Sequence, residues 1–355
     1  MRFLIPVLSR FSQGPNSMYA RLYSCLLGLC SLLLLTGAHP LTAPGVTSLT
    51  NPDVEYSVST TGTAELTAGE TTIVVVDNGP GTTELTPAHK RGYNGIAYWG
   101  HDQQKANLFV PTYAGLNYEH IHDGTLKVNR ERFEPRQNPM QLRIINDRTV
   151  ELYQPPTLNW KLESCGRYEL MADGTVEYTF ECVPKAATFS QNYIGLFWAS
   201  YIRSPEKVGI NFWGRNGDQF GTQPEWLELI SPKHGVSSTH PPADYKHTIA
   251  FDEGFPLTLA NHPSGYVHMA PGYYGVSHGM AFVQMFRQRD QIWFAQSPTG
   301  GGNGNPAWDF QWFIPDYKVG EAYGFVMRAA YFPHESHEKT VERAGLIMEE
   351  LNEEE

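Results

Sequence analysis

Apolar and polar residues alternate with a period of two over most of the chain, as in β-strands that bury one face. The alternating runs are short and are separated by Gly, Pro, Asn and Asp, so they predict strands joined by turns. Helical periodicity is nearly absent before residue 336. Strands are predicted at 71–76, 95–99, 126–129, 141–145, 149–153, 194–202, 208–213, 226–230, 248–251, 280–284, 291–296 and 323–331, with a hairpin spanning 165–182.

The period changes at residue 336. Val341, Ala344, Ile347, Met348 and Leu351 form one apolar stripe among charged residues, which predicts an amphipathic helix packed on a sheet. No repeat of fixed period and no domain linker interrupts residues 54–335. The predicted fold class is therefore mainly β: a large antiparallel β-sandwich at 54–335, followed by one C-terminal helix with an acidic tail at 336–355.

The N-terminal region has the anatomy of a signal peptide. Arg21 precedes an apolar run at 22–35 and small residues at 36–38, and Met18 is a plausible true start. An uncleaved anchor is the alternative, but a membrane-spanning helix needs about 20 apolar residues. Residues 1–38 are therefore predicted to be a cleaved signal peptide and 39–53 a flexible lead-in. The mature protein is expected to be secreted or periplasmic.

Charge narrows the choice of partners. Only 18% of the residues are charged, and the formal net charge is -11. Cleavage after Ala38 removes three arginines and no acidic residue, which moves this charge to -14. A nucleic-acid partner needs a basic surface, and an anionic membrane would repel such a chain. We therefore expect no nucleic-acid partner, and no membrane association after signal cleavage.

Cys165 and Cys182 are the cysteines that remain in the mature chain. A two-residue hairpin turn at Asp173-Gly174 would pair Ala172 with Thr175, and counting outward from that pair brings the two cysteines opposite each other. Non-hydrogen-bonded pairs of antiparallel strands approach closely enough for a disulfide. The sequence thus predicts a Cys165–Cys182 bridge, consistent with an oxidising compartment.

The densest polar cluster lies at residues 117–124. In a regular strand His120 and His122 share one face, whereas Glu119 and Ile121 occupy the other. Two imidazoles on one face can exchange a proton with a substrate, so both are candidate catalytic residues, and Glu119 is a candidate for substrate binding. A metal site on the two histidines is a further alternative and would need a third, distant ligand. No cofactor is predicted.

Two further clusters carry candidate chemistry. Tyr274 and His278, among turn-forming glycines at 268–280, are candidate proton-transfer groups. A glycine-rich loop at 300–306 precedes Trp308, whose indole face suits stacking on a sugar ring, while Asp309 and Gln311 offer hydrogen bonds to hydroxyl groups. The tryptophans are alternatively core residues.

Three more residues complete the predicted binding set. His234 lies on a proline-bounded loop, and His268 precedes the tyrosine cluster. Arg136 is the cation expected to hold a substrate carboxylate, and its alternative role is a surface ion pair. The sequence lacks the motifs of serine hydrolases, zinc peptidases and dinucleotide-binding folds, so these classes are disfavoured.

The rhythm of strands and aromatic residues resembles the galactose mutarotase-like supersandwich, most clearly at 167–180 and 192–201. This superfamily contains aldose epimerases, polysaccharide lyases and sugar-recognising domains. The resemblance implies a carbohydrate bound in a cleft on one sheet. It also implies a histidine acid, for which His120 or His278 qualifies, and a carboxylate base that no particular Glu matches.

The leading hypothesis is a secreted carbohydrate-active protein that performs lyase-type or epimerase-type proton transfer on an oligo- or polysaccharide. One alternative is a non-catalytic glycan-binding or cell-envelope protein that uses the same aromatic residues. The other is a metal-dependent enzyme built on His120 and His122. All three require distant histidines and tryptophans to converge on a single concave face.

Overall fold

The computed structural model describes residues 41–126, 133–219 and 221–353. In these residues 18 strands form three antiparallel sheets, with three helices and one 3-10 turn at Gln288–Asp290. The strands are β1 Ser57–Val58, β2 Thr63–Ala68, β3 Thr71–Val76, β4 Gly95–His101, β5 Asn117–His122, β6 Gln141–Ile144, β7 Thr149–Gln154, β8 Leu162–Leu170, β9 Val176–Pro184, β10 Tyr193–Ala199, β11 Ile210–Asn216, β12 Glu225–Leu229, β13 Thr239–His240, β14 Tyr266–Ser277, β15 Met280–Phe286, β16 Trp293–Ser297, β17 Ala307–Pro315 and β18 Tyr323–Pro333. The helices are α1 Glu134–Gln137, α2 Thr258–Asn261 and α3 His337–Glu353.

Two large sheets pack face to face. The ten-stranded sheet has the order β1-β6-β7-β8-β9-β18-β15-β14-β11-β12, and the five-stranded sheet has the order β13-β16-β17-β10-β5. Between them, the ring of Trp198 lies 4.8 Å from that of Phe180 and 5.1 Å from that of Phe325. Such edge-to-face pairs contribute about 0.5–1.5 kcal/mol each beyond the area they bury. The predicted antiparallel β-sandwich is confirmed.

The C-terminal helix covers the outer side of the ten-stranded sheet. Ile347 and Leu351 of α3 are buried against Val283, Val326 and other apolar residues of β15 and β18. The stripe of apolar residues four and seven positions apart therefore forms the buried face, as its spacing predicts. The smaller sheet, β2-β3-β4, buries Ile73 in the main core.

The segment after Leu41 is held by a buried carboxylate. Glu181 of β9 is fully buried and accepts hydrogen bonds from the backbone N–H groups of Gly45, Val46 and Thr47 at 2.7, 2.9 and 3.2 Å. The hydroxyl of Thr47 donates at 2.6 Å, and that of Thr50 donates as well. Several donors that converge on one carboxylate stabilise its buried charge.

A second buried carboxylate extends this anchor. Glu151 accepts hydrogen bonds from the N–H and hydroxyl of Ser48 and forms an ion pair with Arg167 at 2.7 Å. The sequence predicts a flexible lead-in at 39–53, whereas from Leu41 onward this segment packs on the sheet without forming a helix or a long strand. Its polar Thr and Ser residues contact the two carboxylates.

The hairpin between β8 and β9 differs from the predicted one by a single residue. Leu170 pairs with Val176, the N–H of Met171 donates to the carbonyl of Thr175 at 2.8 Å, and the N–H of Gly174 donates to that of Met171 at 3.0 Å. Gly174 has a φ of +84°, which a glycine adopts without strain. The connection is thus a three-residue loop that ends in a left-handed residue, and not the predicted two-residue turn.

This shift of register separates the cysteines. Cys165 pairs with Glu181 and Cys182 pairs with Ser164, so the two thiols project from opposite faces of the sheet. Cys182 faces the core between the sheets, and Cys165 contacts the carboxylate of Glu151. Both are buried and free, so the predicted disulfide is wrong. Burial raises the pKa of both thiols, which disfavours the reactive thiolate.

Candidate functional site

A β-bulge in β5 turns Glu119 away from the core. Phe197 pairs with His120 and Trp198 pairs with Tyr118, so Glu119 is the extra residue between two pairs. Tyr118 stacks on Trp198 inside the core with ring centroids 5.0 Å apart. The bulge places Glu119 on the same side as His120, whereas a regular strand would direct it inward. That side, which faces away from the ten-stranded sheet, is called the outer face below.

Glu119 takes part in a compact hydrogen-bonded network. Arg136 donates from Nη1 to Oε1 at 2.7 Å, and the hydroxyl of Tyr201 donates to Oε2 at 2.7 Å. The side chain of Glu119 is 7% exposed and that of Arg136 is 21% exposed, so the pair borders solvent. Burial, together with the Glu119 carboxylate, raises the pKa of Tyr201 well above its usual range, which keeps the phenol protonated.

The short helix α1 carries Arg136 and is anchored by a buried acid. The carboxylate of Glu134 accepts hydrogen bonds from the N–H groups of Asn159 and Trp160 at 2.7 and 3.1 Å. Arg136 also donates from Nε to the carbonyl of Gly92 at 2.9 Å. A four-residue helix has no stability of its own, so these contacts fix the guanidinium in place.

Three tyrosines form the entrance to this network. The ring centroids of Tyr93 and Tyr113 are 4.5 Å apart, and Tyr201 lies 4.8 Å from Tyr113 and 5.8 Å from Tyr93. Arg136 lies over the Tyr93 ring at 3.9 Å, and Lys90 approaches the Tyr113 ring at 5.9 Å. Tyr93 and Tyr113 are partly exposed, and Tyr201 is buried. These three residues are called the tyrosine trio.

His120 and His122 both lie on the outer face, as their spacing predicts. The ring of His120 lies 4.5 Å from that of Phe133 and 5.6 Å from that of Phe197. Burial, with a smaller effect of His120, lowers the pKa of His122 to about 3, so this imidazole is neutral at physiological pH. The rings that surround His122 are those of Tyr193, Phe251, Phe255 and Phe313.

The fit around His122 depends on a glycine. Gly195 lies opposite His122 in the neighbouring strand β10, and a Cβ at this position would clash with the imidazole ring. The ring thus lies directly over the backbone of β10. A larger residue at 195 would displace the imidazole from the sheet.

Asp309 and Gln311 lie on the same outer face, in β17. Asp309 is fully buried, and its Oδ1 accepts a hydrogen bond from the N–H of Ser200 at 3.0 Å. Burial raises the pKa of Asp309 well above its usual range, because that hydrogen bond offsets only part of the desolvation. Gln311 is also fully buried and donates from Nε2 to the carbonyl of Ala260 at 3.1 Å.

Trp308 is a core residue and does not stack on a sugar. It neighbours Asp309 in β17, so its side chain points to the other side of the strand, between the sheets. It is fully buried, and its Nε1 donates to the carbonyl of Val208 at 3.0 Å. A Cβ at Gly275 would clash with its ring, which shows how tightly the indole is packed.

Tyr274 and His278 do not lie on the outer face with the tyrosine trio. Tyr274 is on the outer side of the ten-stranded sheet beneath α3, where its hydroxyl lies 2.7 Å from Nδ1 of His337. His278 and Gly279, with φ values of +56° and +73°, form the two-residue turn between β14 and β15. The predicted convergence of these residues with His120 and His122 is therefore wrong.

The two remaining predicted histidines are also placed apart. His234 is exposed, and its Nδ1 lies 2.8 Å from the hydroxyl of Ser297. His268 lies between the sheets, where it stacks on Phe294 with ring centroids 3.9 Å apart and contacts the carbonyl of Ile292. The outer face carries six of the predicted site residues, of which Glu119 and Arg136 are in direct contact: Glu119, His120, His122, Arg136, Asp309 and Gln311.

Within residues 41–126, 133–219 and 221–353, no group of three or more His, Cys, Asp or Glu residues is placed to hold a metal ion. Over the same ranges, no helix combines the length and the apolar content required to cross a membrane.

The tyrosine trio is the part of the site that the sequence analysis misses. Tyr93 and Tyr113 lie in loops that carry no motif, and Tyr201 follows the end of β10. A weak signal exists, since partly exposed aromatic residues on loops beside an arginine are typical of binding sites. The position of Glu119 has no signal, because alternation alone assigns it to the core side.

Similarity to known proteins is found among solved structures. No family model matches it, and no curated protein matches it. Solved structures do match. A protein described as an aldose 1-epimerase from Escherichia coli K12 aligns with a TM-score of 0.41 and 10% identity, over 78% of this chain and 100% of that chain.

Two larger enzymes also match. A heparan sulfate lyase from Pedobacter heparinus has a TM-score of 0.40 and 11% identity, over 80% of this chain. An α-N-acetylgalactosaminidase from Bifidobacterium bifidum has a TM-score of 0.41 and 10% identity, over 81%. The chain spans 37% and 38% of their lengths.

The matching structures include the galactose mutarotase-like class that the strand pattern resembles. These structural neighbours are carbohydrate-processing enzymes. With TM-scores below 0.5, the likenesses carry no argument about which reaction, if any, this chain performs.

Proposed function

We propose that the chain is a carbohydrate-active protein that binds a sugar against Tyr93 and Tyr113 and transfers a proton at Glu119. One observation supports this proposal above others: the tyrosine trio adjoins an ion-paired carboxylate whose side chain remains 7% exposed. Aromatic faces pack on the apolar C–H faces of sugars, and charged side chains orient the hydroxyl groups. A carboxylate in hydrogen-bond reach of such a sugar is suited to accept a proton.

Each side chain in the network has a distinct role in this proposal. Glu119 accepts a proton from a carbon of the sugar, so a C–H bond breaks and an O–H bond forms on the carboxylate. Tyr201, as a neutral phenol hydrogen-bonded to Oε2, holds the carboxylate and stabilises developing charge. Arg136 is a positioning residue that fixes Oε1. In a lyase-type reaction the electron pair of the broken C–H bond forms a C=C bond while the C–O bond to the leaving sugar breaks, and the leaving oxygen takes the proton from Glu119. In an epimerase-type reaction a solvent molecule reprotonates the same carbon from the opposite face, and Glu119 releases its proton to solvent.

The test is a screen of the mature chain, from residue 39, on neutral and acidic polysaccharides. Unsaturated products are followed by ultraviolet absorbance and anomeric exchange by NMR. Glu119→Gln should lower turnover about 100-fold or more, since general-base catalysis contributes about 10²–10⁴-fold. The matched control is Glu206→Gln, a carboxylate that binds the N–H groups of His278 and Gly279 away from the site. Equal turnover by Glu119→Gln and wild type would contradict the proposal.

A second function, glycan binding without turnover, is favoured by a different observation. Both carboxylate oxygens of Glu119 already accept hydrogen bonds, from Arg136 and Tyr201, as in a site that only orients hydroxyl groups. A binding protein would show no turnover on any polysaccharide, yet Tyr113→Ala would weaken glycan binding. Turnover that depends on Glu119 would exclude this second function.

We also propose that the mature protein is exported from the cytoplasm. Its support is the leader sequence at 1–38, which lies outside the described residues. Expression of the full chain with its own leader should yield an exported protein that begins at His39, as measured by mass spectrometry. Retention of the intact N-terminus inside the cell would contradict export.

A further inference from the structure

An exposed tryptophan lies at the edge of the ten-stranded sheet, in the last strand β12. Trp226 is 37% exposed, whereas the other tryptophans are buried or partly buried. Its cross-strand partner in β11 is Trp213, with ring centroids 5.9 Å apart. Phe212, the neighbour of Trp213, packs in the core between the sheets, so the two indoles lie on the other side of the sheet. They are therefore on the opposite side of the sandwich from the tyrosine trio.

The indole of Trp226 is held in place by rings from three elements. Besides Trp213 of β11, the ring of His337 in α3 lies edge to face at 5.0 Å, and that of Tyr274 in β14 lies at 6.4 Å. The hydroxyl of Tyr274 is 2.7 Å from Nδ1 of His337, which fixes this imidazole in turn. Trp226 thus presents a pre-organised aromatic surface, and pre-organisation lowers the entropic cost of binding a ligand.

Polar side chains flank the two indoles on the same side of the sheet. Asn211 and Glu228 are cross-strand partners, each two residues from an indole along its own strand. Two residues span about 7 Å in a strand, so both side chains are within reach of the hydroxyl groups of a sugar ring stacked on Trp226. The four residues Asn211, Trp213, Trp226 and Glu228 are called the indole patch.

The charges beside the indoles balance. Lys207 and Glu228 form an ion pair at 2.7 Å, and Arg215 of β11 and Glu225 of β12 add one charge of each sign. A surface without net charge gives a charged partner no long-range attraction. The indole patch therefore suits an uncharged ligand.

A protein partner fits this surface poorly. Trp226, Ile230 and Met269 are 37, 53 and 41% exposed. Their exposed parts amount to on the order of 300 Å², whereas a stable protein interface buries about 800 Å² on each partner. A second copy paired along β12 would bring Glu225 and Glu228 of both strands to one edge, and charged edge residues oppose such pairing. A small apolar face beside hydrogen-bonding groups fits a sugar ring instead.

We propose that the indole patch is a second carbohydrate-binding surface, where a neutral sugar unit of a polysaccharide stacks on Trp226 and its hydroxyl groups bind Asn211 and Glu228. This surface holds the protein on a glycan and takes no part in chemistry. It does not depend on Glu119 or on the tyrosine trio, which lie across the sandwich. The stacking role that the sequence predicts for the buried Trp308 is thereby assigned to Trp226.

Oxidation by N-bromosuccinimide tests the indole patch in the wild-type protein. The reagent oxidises accessible indoles, so it should modify Trp226 before the other tryptophans, as located by peptide mass spectrometry. The probes are three neutral polysaccharides: hydroxyethyl cellulose, laminarin and arabinoxylan. The one that binds best should slow the oxidation of Trp226 about threefold or more, because a stacked sugar covers the ring. Unchanged oxidation with all three would overturn the inference.

Electrophoresis in gels that contain each polysaccharide measures the binding itself. Trp226→Ala is made in a Tyr113→Ala background, which removes stacking at the tyrosine trio. It should weaken retardation by about three- to tenfold, the range for loss of one aromatic contact, and Trp226→Phe should retain most of it. The matched control is Tyr56→Ala, which removes an exposed aromatic ring beside β1, at the opposite edge of the same sheet. This control should bind as its background does.

Three results would overturn the indole patch and leave the proposed function intact. The first is equal retardation of Trp226→Ala and its background. The second is retardation of that background by polygalacturonate alone, since this polymer is acidic. The third is a wild type that sediments as a dimer beside a monomeric Trp226→Ala variant, which would assign the patch to a second copy of the chain.

Discussion

Buried histidines occur in two regions, and they differ in how their hydrogen bonds are satisfied. Between the sheets, Nδ1 and Nε2 of His268 lie 3.1 and 2.9 Å from backbone carbonyls, and His240 contacts the side chains of Ser264 and Gln296. On the outer face, neither nitrogen of His122 has a partner among the described residues. Burial is nearly complete in both regions.

The pKa values do not distinguish the two regions. Burial lowers the pKa of His240 to about 3 and that of His268 to about 4, and it lowers that of His122 to about 3. A depressed pKa therefore marks desolvation and not function. The two regions differ instead in whether the ring nitrogens have hydrogen-bond partners among the described residues.

The largest expected effect is a loss of stability in acid. In the unfolded chain these imidazoles bind protons near pH 6.5, whereas in the folded chain they remain neutral to about pH 3 or 4. The contribution of these imidazoles to stability is therefore fully present above pH 6.5. As the pH is lowered toward 3, the free energy of unfolding falls by an amount on the order of 4 kcal/mol per imidazole. Urea unfolding at pH 7, 6, 5 and 4 measures it.

A variant sharpens this first prediction. His122→Phe removes one of the three proton-binding groups, so the free energy of unfolding should depend less steeply on pH between 6.5 and 3 than in wild type. Identical slopes for the two proteins would mean that His122 is not held neutral by burial.

The second prediction contrasts the regions directly. His268→Phe keeps the stacking on Phe294 but removes the one N–H that the neutral imidazole can donate, to the carbonyl of Ile292 or to that of Ala270. It should therefore destabilise the fold by about 1–3 kcal/mol. His122→Phe should stabilise it by about 1 kcal/mol. Urea unfolding of both variants at pH 7 measures the difference, and effects of the same sign would remove the distinction between the regions.

The smallest expected effect concerns Asp309. Its raised pKa means that the unfolded carboxyl group loses its proton above about pH 4 while the folded one retains it. This carboxyl therefore stabilises the fold least at neutral pH, and stability falls as the pH rises through that range. Asp309→Asn should raise Tm at pH 7, with a gain that shrinks toward pH 4. A gain that is independent of pH would show that the folded carboxyl is ionised.

Much of the fold can be predicted from alternation. The strand predicted at 71–76 coincides with β3 Thr71–Val76, and those at 141–145 and 149–153 match β6 and β7 within one residue. β3 and β7 are buried over nearly all of their residues, so it is their short runs rich in β-branched and other apolar residues that predict them. The prediction at 126–129 falls largely outside the described residues.

Other elements are missed or wrong for physical reasons. The predicted strand at 248–251 is absent, because its apolar residues pack as an irregular segment over the outer face. β17 Ala307–Pro315 is missed although Trp308, Phe310 and Trp312 alternate with Asp309 and Gln311, because the glycine-rich stretch before it indicates a loop. The position of Glu119 depends on a one-residue β-bulge, and the separation of the two cysteines depends on a hairpin loop that is one residue longer than predicted. The alternation of apolar and polar residues encodes neither feature.

The most direct test of the account is a crystal structure of the mature chain with the oligosaccharide that binds it best. We predict a sugar ring stacked on Tyr93 or Tyr113 with a hydroxyl group in hydrogen-bond distance of Glu119. A sugar bound elsewhere, with the tyrosine trio unoccupied, would contradict the account.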